Sequence, residues 1–345
     1  MNQPVKRPAG HPVRGVEILG AGSAVPDNIL TNDDLTRMFD TSDEWIVKRT
    51  GIRERRVVLP SEKAPVIRLS TEALNSALAD AGLKGSDLDL VMIGTVTGEM
   101  RCPSASCRVA HAVGAGHAGA LDVGAACSGF VYSLNIAETL IASGRYERVG
   151  VIGCDVISRI ADYTQRGRGT SILFGDAAGA VVLGPSENPD KGCLAQTLHA
   201  DGGGWDLLYI PEKDEHVPEN VSEDVKDTPF GLLRMKGREV FKFAVSTFSE
   251  VMQETVDKAG LTMDDVAMVI PHQSNLRIIE SARKHFHIPD EKIFVNIDKY
   301  GNSSAGSVGL CFDQLWKSGR IKRGDKVLMV AFGGGLTWAS SLWQL

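Results

Sequence analysis

The sequence predicts an α/β protein built from two related halves, each with its own sheet. Two observations carry that reading. Short apolar runs that end in glycine or small polar residues alternate with amphipathic stretches along the chain. The chain also repeats itself: ALADAGLKGSDLDLVMIG (77–94) resembles ETVDKAGLTMDDVAMVIPH (254–272), and the triplet SGR occurs at Ser143 and again at Ser318.

The strand-like runs come in order. In the first half they are VEILGAG (16–22), LVMIGTV (90–96), GALDVGAAC (119–127), VGVIGCD (149–155) and GAVVLG (179–184). In the second half they are MVIPHQ (268–273), IFVNID (293–298) and VLMVAFGGG (327–335). Each is short, rich in β-branched residues and bounded by turn formers, as buried strands are. Helical periodicity marks LSTEALNSALADAGL (69–83) and FSEVMQETVDKAGL (248–261). Each SGR closes a helix-like stretch and precedes an apolar run. The join is expected in the loop PSENPDKG, which gives halves of 15–188 and 189–345, with residues 1–14 as a loose extension.

Composition narrows the function. Of 345 residues, 43% are hydrophobic and 23% charged, so a large core is available. The formal net charge is −6, and no basic stripe points to nucleic acid. No apolar run approaches the ~18 residues of a membrane span. The N-terminal stretch has no apolar signal core, so the expected compartment is the cytoplasm. The six cysteines form no CxxC pair, and neither a zinc site nor any other metal is expected.

The repeat picks out the chemistry. The spacing of the two SGR triplets carries Cys127 onto Asn302, and the spacing of the two AGL triplets carries Gly94 onto His272. A duplicated fold would bring Cys127 and Asn302 to matching helix starts across a pseudo-twofold axis, with His272 at the end of a neighbouring strand. Cys127 lies in GAACSGF, where small neighbours admit a ligand. A thiol in the first turn of a helix is favoured as thiolate, the nucleophile of acyl transfer. Taken alone, each residue has a plainer account. A free cysteine is commonly core, a histidine after a strand commonly caps a helix, and the Asn of YGN commonly makes a turn.

Two further features are readable. Gly333–Gly335 follow a strand, and backbone N–H groups there could form an oxyanion hole. The GGG at 202–204 fits no phosphate-loop pattern. In LRIIESARKHF (276–286), Leu276, Ile279, Ala282 and Phe286 make the inner stripe. Arg277 and Lys284 share the opposite face and would suit an acidic protein partner.

Several long motifs resemble one family. They are TSDEWIVKRTGIRERR (41–56), CPSASC (102–107), DVGAACSGF (122–130), FGDAAGAVV (174–182), KGREVFKFAV (236–245), IPHQSNLRII (270–279), YGNSSAGSV (300–308) and AFGGGLTWAS (331–340). Together they resemble the β-ketoacyl-acyl-carrier-protein synthase III family, from about Gly15 to Leu345. The resemblance implies a thiolase fold, with two pseudo-symmetric halves in a five-layer αβαβα arrangement. It also implies a homodimer that condenses an acyl-CoA primer with malonyl-acyl-carrier protein, without a cofactor.

On this resemblance Cys127 carries the acyl group, while His272 and Asn302 bind the malonyl thioester carbonyl. The backbone N–H groups of Cys127 and Gly334 match the oxyanion hole. Trp45 and Arg49 match the CoA clamp, completed by Arg168 or by Arg166, since YTQRGRGTSILFGD (163–176) is about two residues longer than the common pattern. Asn275 matches a residue of the pantetheine tunnel, and Arg277 the carrier-docking arginine. Cys102 stands where relatives carry a bulky Phe or a Thr that lines the partner subunit's acyl pocket. The acidic segment 211–230 matches nothing readable. The competing readings are a specialised condensing enzyme or acyltransferase of secondary metabolism, a thiol hydrolase, and a non-catalytic carrier-binding protein. Asn302 cannot act as the base a hydrolase needs, and the intact Cys, His and Asn argue against a non-catalytic role.

Overall fold

The structure is a computed structural model that describes residues 14–188, 191–219, 221 and 226–345. Most of the expected N-terminal extension, part of the expected join and part of the acidic segment 211–230 lie outside the described residues.

Two sheets carry the molecule. The first comprises β1 (Gly15–Ala24), β2 (Leu90–Gly94), β3 (Gly119–Val123), β4 (Val149–Val156) and β5 (Asp176–Ser186), in the order β1-β5-β4-β2-β3. The second comprises β6 (Gly192–Ala200), β7 (Met268–Pro271), β8 (Lys326–Gly333) and β9 (Thr337–Gln344), in the order β7-β8-β9-β6. In the first sheet β2 runs parallel to β3 and β4, and β5 is antiparallel to β4 and β1. In the second β7 is parallel to β8, and β9 is antiparallel to β8 and β6. A parallel bridge from Val269 to Ile293 stands where a fifth strand would complete the match. The two sheets thus repeat one topology.

Seven helices matter for the site: α1 (Asp43–Thr50), α2 (Pro65–Asp80), α3 (Ala105–Ala112), α4 (Gly129–Ala142), α5 (Gly237–Lys258), α6 (Leu276–His285) and α7 (Gly306–Lys317). Strand alternation assigns them to layers. On β4, Val149 and Val151 face the central core, while Ile152 and Cys154 face α2. On β8, Val327, Met329 and Ala331 face the centre, while Leu328, Val330 and Phe332 face α5 and α6. Helices α4 and α7 lie between the sheets and share one core with both. Helices α2 and α3 cover the first sheet outside, and α5 and α6 the second. This is the five-layer αβαβα thiolase fold.

The middle layer is thin where glycines permit it. A Cβ on Gly179 would stand 2.2 Å from Leu310 N, and one on Gly94 2.2 Å from the Gly129 carbonyl carbon. The second contact holds the start of α4, and with it Cys127, against the end of β2.

Some elements differ from the sequence reading. IFVNID forms no strand beyond its one bridge, and Ile297–Tyr300 turns into a short helix instead. Strands β6 and β9 carry Thr197, Ser340 and Ser341 buried in their middles, which hid them from a search for apolar runs. Helix α5 begins at Gly237, well before the expected 248, because its first turns lie half-exposed beside the site and lack a clean apolar stripe. On α6, Ile278 joins Ile279 and Ala282 as the buried set, with Leu276 and Phe286 half-buried.

Candidate active site

Cys127 sits in a single 3-10 turn (Ala126–Ser128) that runs directly into α4. Ala126 before it has φ 45°, a strained value for a residue with a side chain, so the backbone bends sharply at the nucleophile. The turn after β8 is stapled to this bend. Thr337 Oγ1 donates to the Ala125 carbonyl at 2.9 Å, and Ser128 Oγ to the Thr337 carbonyl at 3.2 Å. A Cβ on Gly333 would lie 2.7 Å from Cys127 N, so only glycine lets the two segments meet. Gly334 follows in the same turn. The GGG at 202–204 opens a 3-10 helix capped by the Asp201 side chain, and Asp201 exchanges both backbone hydrogen bonds with Leu336. It buttresses this turn.

His272 follows β7 and donates its backbone N–H to Val330 O at 2.8 Å. Its ring is buried, packed edge-on to Phe332 with centroids 5.6 Å apart. Nδ1 lies 2.7 Å from Ser307 Oγ. Nε2 is buried with no hydrogen-bond partner among the described residues. Burial pushes the imidazole pKa down to about 3, so the ring is neutral at physiological pH.

Asn302 bridges to Phe174: its N–H donates to Leu173 O at 2.8 Å, and its carbonyl accepts from Gly175 N at 3.0 Å. Its Oδ1 accepts from Ser304 N at 2.9 Å, which fixes the amide and leaves its NH2 group for the cavity. Asn302 does not open a helix as Cys127 does, because α7 starts only at Gly306. The correspondence of the halves is therefore loose at this point.

Cys127, His272 and Asn302 line one cavity of about 80 Å³, walled by Phe241, Phe332 and Leu336. Beside it lies an open cleft of about 1030 Å³, and Leu173, Met235, Phe241 and Asn275 line both. Trp45, Arg49, Arg168 and Arg277 line the cleft. Trp45 is flanked by the guanidinium of Arg49 at 4.7 Å and that of Arg168 at 4.9 Å. Arg166 instead pairs with the buried Asp162 at 3.0 Å. Asn275 caps α6 through its Oδ1 and donates to Arg49 O at 3.1 Å, so it ties the cleft wall to α1. The Arg277 guanidinium lies over Phe241 at 5.0 Å. Lys284 lies two turns further along α6, exposed and away from both cavities. Arg238 and Lys242 on α5 also line the cleft, and the sequence reading had passed them over.

One expectation meets an opposing effect. Burial raises the Cys127 thiol pKa to about 12 and so opposes the thiolate that the helix start favours, while the contact with Ser304 acts to lower it. Cys102 is exposed and does not line the Cys127 cavity of its own chain; its expected place is against the partner subunit's pocket instead. Three functional candidates were also missed. Ser307 orients His272, Ser304 Oγ lies 3.3 Å from Cys127 Sγ, and Asp155 Oδ2 accepts from Ser304 Oγ at 2.6 Å. The one sequence signal was an Asp closing the otherwise apolar run VGVIGCD. Among the described residues no cluster of His, Cys, Asp or Glu could hold a metal ion, and no helix is long and apolar enough to cross a membrane.

Known proteins match this chain in sequence and in fold. Two family models match: 3-oxoacyl-[acyl-carrier-protein] synthase III over residues 121–202, and its C-terminal counterpart over residues 256–345. The β-ketoacyl-[acyl-carrier-protein] synthase III of Caldanaerobacter subterraneus subsp. tengcongensis is 46% identical over 325 residues, covering 94% of this chain and 96% of that one. The crystal structure of 3-oxoacyl-[acyl-carrier-protein] synthase III from Aquifex aeolicus superposes with a TM-score of 0.87 at 42% identity, covering 96% and 100% of the two chains. The Thermus thermophilus synthase III structure gives 0.88 at 38% identity, covering 95% and 98%. With its fold and its sequence in agreement, this chain belongs to the β-ketoacyl-acyl-carrier-protein synthase III family.

Proposed function

We propose that this protein condenses an acyl-CoA primer with malonyl-acyl-carrier protein, releasing CO2 and giving a 3-oxoacyl-acyl-carrier protein, the first elongation of fatty-acid synthesis. The observation that carries the reading is the cavity in which Cys127, His272 and Asn302 meet, reached from a cleft lined by arginines. Its narrowness suits a pantetheine arm, and the basic cleft suits the phosphates of CoA and an acidic carrier.

In the first half-reaction Cys127 Sγ attacks the thioester carbonyl, CoA leaves as the thiolate, and the N–H groups of Cys127 and Gly334 receive the developing oxyanion. Trp45, Arg49 and Arg168 hold the CoA head, and Arg277, with Lys284 further out, receives the carrier. In the second half-reaction the malonyl thioester carbonyl accepts hydrogen bonds from His272 Nε2 and Asn302 Nδ2. CO2 leaves, and its bonding electrons form the enolate that these neutral donors stabilise. The enolate carbon attacks the acyl-cysteine, and Cys127 leaves. No cofactor enters these steps.

The enzyme is proposed to act as a cytoplasmic homodimer. Strand β3 is an edge of the first sheet, with exposed Leu121, and Val96 and Met100 lie exposed on the segment after β2. An uncovered apolar edge favours a second copy. Cys102 follows on that segment and would reach the partner's acyl pocket.

The test is to incubate the enzyme with a panel of acyl-CoAs and map the adduct by mass spectrometry. The acyl group is expected on Cys127. Asn302→Ala should still be acylated but release CO2 about 10²–10³-fold more slowly. Labelling at another cysteine, or equal loss of both half-reactions, contradicts the assignment.

A further inference from the structure

Cys127 is buried, which favours its protonated thiol, so acylation gains from a route for that proton. One polar chain leads away from it. Ser304 Oγ stands 3.3 Å from Cys127 Sγ and 2.6 Å from Asp155 Oδ2. All three residues are buried. Ser304 has φ 49°, so the two residues that face each other across this contact each lie beside or at a strained bend, at Ala126 and at Ser304. Asp155 is held at the end of β4 by five donors. Thr95 Oγ1, Thr97 Oγ1 and Val96 N reach Oδ1, and Ser304 Oγ and Ala305 N reach Oδ2. Such a set suits a carboxylate.

We propose that Ser304 and Asp155 form a buried relay that accepts the Cys127 proton during acylation and returns it after condensation. A hydroxyl has one hydrogen: when Ser304 Oγ gives it to Asp155 Oδ2, the shorter of its two contacts, its oxygen is free to accept the thiol S–H. As Sγ bonds to the thioester carbon, its proton passes to Ser304 Oγ while the Ser304 hydroxyl proton passes to Asp155 Oδ2. The thioester C–S bond breaks, and CoA leaves as a thiolate that takes its proton from water. The proton stays on Asp155 until condensation frees Cys127 as a thiolate, then runs back. Buried charge is moved between two sites and never created, which avoids the desolvation penalty of ionising the thiol alone. Burial raises the Asp155 pKa, which favours holding that proton.

The surroundings of Asp155 do not supply a rival acceptor. From the segment after β2 come Thr95, Val96 N–H and Thr97; from the loop before α7 come Ser304 and Ala305 N–H. The titratable neighbours are the Cys127 thiol and the Cys154 thiol on β4, and the carboxylates of Glu99 and Asp176 also act on Cys154. Among the described residues no ion pair reaches Asp155.

The relay rests on the proposed nucleophilic role of Cys127, but its test needs neither acyl-CoA nor carrier. Iodoacetamide alkylation of Cys127, followed by peptide mass mapping, reads thiol activation alone. With the relay, the wild-type rate is expected to stay level between about pH 6.5 and about pH 9, because the proton moves within the pair. Ser304→Ala should slow alkylation at neutral pH by at least about tenfold and restore a rise of about tenfold per pH unit. Asp155→Asn should do the same. A neighbour acting only by its charge predicts the opposite for Asp155→Asn, since removing a nearby negative charge makes a thiolate easier to form. If Asp155→Asn does not fold, Ser304→Ala carries the test. Wild-type alkylation by Ser304→Ala across this range, or faster alkylation by Asp155→Asn, overturns the relay. Failure of wild-type enzyme to take any acyl group, with the level profile intact, would instead overturn the condensing reading.

Discussion

Ser307 Oγ lies 2.7 Å from His272 Nδ1, and Gln273 N donates to the same hydroxyl oxygen at 3.5 Å. The Ser307 hydroxyl donating to Nδ1 places the ring proton on Nε2, toward the cavity, which is the tautomer that the proposed hydrogen bond to the malonyl carbonyl requires. Ser307→Ala is therefore expected to slow malonyl decarboxylation by roughly tenfold while acylation of Cys127 changes little. Separate assays of CO2 release and acyl-enzyme formation check this. Equal losses would mean the serine only supports packing.

The low His272 pKa also predicts a pH dependence of stability. The unfolded ring protonates near 6.5 and the folded ring near about 3. As pH falls through that window the unfolded state binds the extra proton, so stability drops, by at most about 1.4 kcal/mol per pH unit. His272→Gln should lose this sensitivity. Asp176, raised to about 6 by burial, acts in the opposite sense, but it is present in both proteins and cancels in the difference. Urea unfolding of both proteins from about pH 4 to about pH 8 measures it. A difference that does not change with pH rules out a neutral buried histidine.

Arg168 rather than Arg166 is expected to serve CoA. Arg168 flanks Trp45, whereas Arg166 is engaged with Asp162. Arg168→Ala should raise KM for acyl-CoA by about tenfold or more, in line with the ~0.5–2 kcal/mol of a cation–π contact plus a lost phosphate partner. Arg166→Ala should raise it less. Isothermal titration with CoA ranks the two variants directly, and the reverse order would refute the assignment.

Arg277→Glu should raise KM for malonyl-carrier and flatten its salt dependence, with acylation by free acyl-CoA nearly unchanged. Lys284→Glu is expected to have the smaller effect, because Lys284 stands away from the cleft mouth. Kinetics at two ionic strengths separate these outcomes. A matching fall in acylation by free acyl-CoA would place Arg277 on the CoA path instead.

Gly94→Ala should destabilise the fold by about 1–3 kcal/mol, because its new Cβ would meet the Gly129 backbone. Displacing the start of α4 should also slow acylation more than it weakens CoA binding. Thermal melts and single-turnover acylation read the two effects, and an unperturbed Tm would show that the strands yield.

Periodicity and repetition made much of this molecule legible before folding. Apolar runs with glycine ends marked β1 to β5, β7 and β8, and the spacing of the repeats singled out Cys127, His272 and Asn302. These signals survive in sequence because strand burial and helix starts impose local patterns. Strands β6 and β9 escaped, since their buried serines and threonine find partners that are distant in sequence, as Thr197 does with Thr255 at 2.9 Å. The same holds for the groups around the nucleophile. Asp155 comes from β4 and Ser304 and Ser307 from the turn that opens α7, and nothing in their spacing announces that they meet Cys127 and His272. The environment of the thiol was also decided by tertiary structure: the helix start acts locally to favour thiolate, but enclosure between two sheets removes water, and that desolvation raises the thiol pKa.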